Sequence, residues 1–109
     1  MAGRSSQRKG ADGERELAAL LREYGYPVER GGSLSFGEVP DLSGLPGVHI
    51  EVKRVERLNI EDAMSQARRD AKPDEIPIVA HRRNNCRWLV TMDAEDWFRL
   101  YRDWEITEG

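Results

Sequence analysis

The chain has 109 residues, 39% of them hydrophobic and 34% charged, with a formal net charge of −3. That length builds one domain and leaves no room for a second core. No apolar run approaches the roughly 20 residues of a membrane span, the polar, basic first ten residues do not read as a secretory signal, and one cysteine, Cys86, allows no internal disulfide and no cysteine-based zinc site. The expected location is cytoplasmic.

In chain order, residues 1–9 are expected to be a flexible basic arm ahead of a single domain over residues 10–109. A helix is predicted from Asp12 to Tyr24, because Leu17, Ala18, Leu21 and Tyr24 recur at spacings of three and four, and Gly25 can end it. Pro27 to Arg30 reads as a short strand, and Gly31-Gly32-Ser33 opens a loop running to Gly37. Pro40-Asp41 leads into a turn-prone stretch, Ser43 to Gly47, so a hairpin is predicted with Asp41 on one strand beside Glu51 on the other.

Asn59 is placed to cap a second helix whose apolar stripe is Ile60, Ala63, Met64, Ala67 and Ala71, ending at Lys72-Pro73. Ile76 to Ala80 reads as a buried strand, Arg83-Asn84-Asn85 as a turn and Cys86 to Val90 as the returning strand. Asp93 caps a third helix, with Met92 and Trp97 spaced as a hydrophobic staple and an apolar face of Trp97, Leu100, Tyr101 and Trp104. Helix, three strands, helix, two strands, helix is the order of an α/β fold: a mixed central sheet of about five strands flanked by helices.

The chemistry concentrates in the hairpin. His49, Glu51 and Lys53 alternate with Val48, Ile50 and Val52, so the apolar set packs inward while Glu51 and Lys53 share the opposite face. Asp41 and Glu51 supply hard oxygen ligands of the kind Mg²⁺ takes, together with water and phosphate. The Lys53 ammonium can orient a water or offset charge developing on phosphorus. Glu14 lies on the inward stripe of the first helix, where a carboxylate is costly unless paired or bound to metal; its plainer role is to complement the helix dipole. Glu16 is expected to face solvent. His49 reads as a sheet residue near the site and Cys86 as a packed thiol. Trp88, Trp97 and Trp104 read as core or interface residues.

Basic residues cluster at Arg4, Arg8 and Lys9, at Lys53, Arg54 and Arg57, at Arg68, Arg69 and Lys72, and from His81 to Arg87. They form either a basic face on a mildly acidic protein or ordinary mixed surface charge. The same two readings hold for Arg68 and Arg69, as sequence-independent phosphate contacts or as a solvated helix face.

The run Arg8-Lys9-Gly10-Ala11-Asp12-Gly13-Glu14-Arg15-Glu16-Leu17, followed by Leu20-Leu21 and Gly25, resembles the first helix of archaeal-type Holliday junction resolvases, in the PD-(D/E)XK nuclease superfamily. Gly32-Ser33, Pro40-Asp41-Leu42 and Glu51-Val52-Lys53 follow in that family's order. The resemblance spans about residues 8–92 and is most specific over 8–53. It implies a restriction-endonuclease-like core and a metal-dependent DNA endonuclease. Glu14, Asp41, Glu51 and the Val52 carbonyl would hold Mg²⁺, with Mn²⁺ able to substitute, and Lys53 would assist the attacking water. Ser33 and Gln66 are implied as accessory residues, and Arg8, Lys9, Arg54, Arg68 and Arg69 as DNA contacts.

A resolvase must cut two strands symmetrically, so the resemblance also implies a homodimer acting on branched or four-way DNA. Phage, repair and restriction-like nucleases share these motifs, and fold alone does not select among them. A non-catalytic nucleic-acid-binding protein on the same scaffold, and an interaction protein docking through the third helix, are the other readings.

Overall fold

The computed structural model describes residues 2–31 and 41–108, with side chains from residue 10 onward. The elements are α1 (Ala2–Glu23), β1 (Glu29–Arg30), β2 (Leu42–Ser43), β3 (Val48–Arg54), α2 (Ile60–Asp70), β4 (Ile76–Arg82), β5 (Leu89–Met92) and α3 (Ala94–Glu108). Their order matches that read from the sequence. The sheet runs β1-β2-β3-β4-β5, antiparallel except for the β3–β4 pair, which is parallel and joined through α2. A parallel pair needs such a crossover, and the crossover helix must cover one face of the sheet.

The register assigns the faces. Ile50 pairs with Ile78 and Val52 with Ala80; this face packs on Leu17 and Ala18 of α1, with Leu42 and Val28. Glu51 pairs with Val79 on the opposite face, where Ala63, Met64 and Ala67 of α2 close a second, smaller core. β3 therefore lies between two helical layers, and His49 and Glu51 are only 1% and 2% exposed. Charged residues alternating along a half-solvated strand would not be buried like this.

Local chemistry explains the boundaries. Gly25 ends α1 at φ +92° with the paired bonds of a glycine C-cap: Gly25 N–H to Arg22 O at 2.9 Å and Tyr26 N–H to Leu21 O at 3.0 Å. Asn59 caps α2 by accepting the Asp62 N–H at 3.1 Å.

Four expectations are corrected. α1 has helical backbone from Ala2, so the expected arm continues the helix; Arg, Gln, Lys and Ala all favour that conformation. Tyr24, placed on the inward stripe, is 75% exposed, because the helix ends beside it. β5 starts at Leu89, not Cys86. The left-handed Asn85 (φ 60°) prolongs the turn, and Arg82 Nε donates to the Cys86 carbonyl at 2.7 Å, taking an acceptor the ladder would use. Cys86 is consequently exposed rather than packed. Among the described residues no helix is long and apolar enough to cross a membrane.

Candidate active site

β2 is two residues long and pairs with β3 only at Leu42–Ile50. Beyond that pair no strand among the described residues lies along the β2 side of β3, and the Asp41 side chain takes over: its Oδ2 accepts the Val52 N–H at 2.7 Å. The hairpin thereby fixes Asp41 against the Glu51-Val52-Lys53 segment, from a position just before β2 and not on the strand where the sequence placed it.

Glu14 approaches the same edge from α1. Arg30 of β1 holds it, Nε donating to Glu14 Oε1 at 3.1 Å. Burial raises the Glu14 pKa above the ordinary carboxylate value; the Arg30 hydrogen bond opposes this and the Asp41 charge adds to it. Burial likewise raises the Glu51 pKa, again with a contribution from Asp41, against the lowering influence of His49 and Lys53. One aspartate thus acts electrostatically on two other carboxylates. An aspartate repelling two glutamates at a partly dry sheet edge is an arrangement that a divalent cation would relieve.

The opposite side of Glu51 carries neighbours that the sequence motifs leave out. His49 Nε2 lies 2.9 Å from Glu51 Oε1. With Glu51 ionised the carboxylate can only accept, so Nε2 carries the proton. Asp70, at the end of α2, completes a group in which His49, Glu51 and Asp70 ligand atoms all lie within 4.8 Å of one another. Two ligands at right angles on one small cation stand about 3 Å apart, so the His49–Glu51 spacing also suits a nitrogen–oxygen pair on a metal. Among the described residues this is the group whose ligand atoms come that close; Glu51 belongs to it, while Asp41 and Glu14 lie outside it. Asp70 had a weak signal: it stands four residues after Gln66, on the helix face that also carries Ala63 and Ala67.

Lys53 Nζ donates to Gln66 Oε1 at 3.2 Å, so α2 places the glutamine beside the lysine. The two line a cleft of about 300 Å³ with Arg57, Leu58 and Asn59. Through Val55 and Leu58 it adjoins a larger cleft of about 450 Å³ bordered by Arg82, Arg83 and Arg87. The other basic residues singled out in the sequence are differently engaged. Arg54 donates to Glu16 at 3.0 Å and to Asn84 at 2.6 Å. Arg68 grips Asp93 through two bonds of 2.6 and 3.1 Å. Arg69 lies 3.6 Å from Asp70. Glu16 faces Arg54 and Arg82 across the sheet ends instead of solvent. Ser33 and the side chains of Arg8 and Lys9 lie outside the described residues.

The architecture, a five-stranded mixed sheet between helices, is an α/β fold shared with a solved resolvase structure. The chain is similar in structure to Hjc of Archaeoglobus fulgidus, a Holliday junction resolvase from an archaeal hyperthermophile: TM-score 0.51, 22% identity, covering 77% of this chain and 72% of that one. No protein-family model matches the chain. No curated protein matches it either.

Proposed function

We propose that the protein is a metal-dependent DNA endonuclease that hydrolyses phosphodiester bonds in branched DNA, four-way junctions above all. The observation that carries this reading is Asp41, held on the Val52 N–H and acting electrostatically on both Glu14 and Glu51, with Lys53 two residues beyond Glu51. The likeness to a resolvase supports the choice of substrate.

Asp41 and Glu51 would hold a divalent cation, Mg²⁺ or Mn²⁺, with the Val52 carbonyl and Glu14 completing the donor set. Such a cation supplies Lewis acidity, polarising a phosphate oxygen and lowering the pKa of a bound water. The protein's own groups do the rest. Val52 N–H fixes the Asp41 carboxylate, and His49 fixes Glu51. Gln66 holds the Lys53 ammonium, which orients the attacking water and offsets charge on the phosphorane oxygens. Arg57, Arg83 and Arg87, along the adjoining clefts, provide a phosphate track leading away from Lys53. Symmetric cleavage of two strands requires two copies, so the active species is a homodimer.

The test is Mg²⁺-dependent cleavage of a synthetic four-way junction beside matched duplex, single-strand and flap substrates, with Asp41→Asn as control. Paired symmetric cuts confined to the junction and lost in the variant are expected. Cutting that survives Asp41→Asn refutes the site, and cutting of another substrate replaces the junction assignment. Lys53→Ala should lower the single-turnover rate far more than DNA affinity.

A further inference from the structure

β3 and β4 run parallel and end together, Lys53 pairing with His81 and Arg54 with Arg82. The carboxyl ends of parallel strands are where open α/β sheets bind ligands. Here they border the cleft of about 450 Å³ that adjoins the Lys53–Gln66 cleft, a volume within the range of small-ligand sites. Its lining is of three kinds. Val55, Leu58, Ile60 and Leu89 are aliphatic, and Leu89 is 59% exposed. Arg83 and Arg87 are cationic. Arg54, Arg68 and Arg82 each meet an acid, but among the described residues neither Arg83 nor Arg87 has an ion-pair partner. Glu56 is acidic, and its Oε2 accepts the Asn84 N–H at 2.7 Å.

We propose that this cleft takes one unpaired nucleotide of the DNA, its base on the aliphatic residues and its phosphate on Arg83 and Arg87. The proposal rests on the DNA reading of the neighbouring site and names the feature of the substrate that is recognised beside it. The mixture of groups selects the occupant. A bare phosphate makes no use of four aliphatic side chains and is repelled by Glu56. A purely apolar ligand gains nothing from two guanidinium groups. A nucleotide matches all three kinds of lining: an apolar base face, phosphate oxygens for the guanidinium forks, and a base amino group that the other Glu56 oxygen can accept. A base inside a duplex presents only its edges, so it must leave the stack to enter. Unstacking is least costly for a base that is mismatched or already single-stranded, so the cleft favours DNA whose stack is interrupted. The aromatic stripe of α3 offers no such match. Trp97, Tyr101 and Trp104 are 45% to 54% exposed, where a packed apolar face was expected, but they share their helix with Glu95, Asp96 and Asp103, which repel phosphate.

Methyl NMR of the metal-free chain tests the cleft apart from any cleavage, with deoxyadenosine monophosphate and inorganic phosphate as probes. The monophosphate should shift the Leu58, Ile60 and Leu89 methyls saturably. It should bind about tenfold or more tightly than phosphate, the effect of covering about 60 Å² of apolar surface. Leu89→Ser, at an exposed position, should weaken monophosphate binding about fivefold and leave phosphate binding unchanged; Arg83→Gln should weaken both. With EDTA present, a fluorescent aminopurine at the crossover of a four-way junction should brighten when the wild type binds and stay dim with Leu89→Ser. The wild-type titrations stand even if a variant fails to fold. Phosphate binding as tightly as the monophosphate overturns the proposal. So do saturable shifts that avoid these methyls, no saturation at millimolar nucleotide, or an aminopurine that stays dim on the bound wild type. Methyl shifts and brightening in a chain that cuts no DNA support the cleft and refute the nuclease reading alone.

Discussion

Asp41 does two jobs, and two substitutions separate them. Its Oδ2 is the partner of the Val52 N–H at 2.7 Å, and its charge raises the pKa of both Glu14 and Glu51. Asp41→Asn keeps an oxygen acceptor and removes the charge. The weaker neutral hydrogen bond costs on the order of 1 kcal/mol, and relief of the repulsion on the two glutamates offsets part of it. Metal-free stability should therefore change by no more than about 1 kcal/mol, or about 4–8 °C in melting temperature for a domain of this size. Asp41→Ala removes the acceptor as well. Val52 is only 6% exposed, so its N–H has little access to water, and an unsatisfied buried donor costs about 1–3 kcal/mol. Mg²⁺ at a hundredfold excess over its dissociation constant should stabilise the wild type by about 2.7 kcal/mol and neither variant. Differential scanning calorimetry with EDTA and with Mg²⁺ measures all of these terms. An Asn variant as unstable as Ala without metal, or one retaining the full Mg²⁺ stabilisation, refutes the reasoning.

Three further outcomes follow from individual contacts. Glu14 and Glu51 have folded-state pKa values above 4.5, so between the unfolded and folded values the native state binds more protons. These two groups therefore make the metal-free protein lose stability as pH rises through that window. Melting temperatures of wild type and Glu51→Gln measured against pH should converge on acidification, and parallel curves would exclude Glu51 as a source. Gly13→Ala places a Cβ 2.6 Å from Arg54 Cβ, where β3 and α1 touch. The expected overpacking of about 1–3 kcal/mol exceeds the roughly 1 kcal/mol gained in helix propensity, and a variant more stable than wild type in urea would contradict the close approach. Arg83→Gln and Arg87→Gln should each reduce the slope of log affinity against log salt by about one and weaken binding to all DNA sequences alike; unchanged slopes would remove the phosphate track.

The element order was legible because each signal is local: a period of two from Val48 to Lys53, spacings of three and four in the helices, Gly25 as a stop and Asn59 as a cap. The approach of Asp41 to Glu51 was legible for the same reason, since a short hairpin brings near neighbours in sequence together. Other features depend on layers packing across the sheet. Burial of His49 and Glu51 follows from α2 lying over β3, and Asp70 joins them because the crossover helix ends there. Arg54 and Arg68 looked available for DNA, but each is matched with an acid at least 25 residues away in the chain. The apolar stripe of α3 was visible as a pattern, yet periodicity records only that a face is apolar and not what covers it. The sequence by itself determined the strands, the helices and the acids at the hairpin, through backbone sterics and side-chain period. Only the tertiary structure decided which charges neutralise one another and which apolar face stays open, because both depend on distances between segments far apart in the chain.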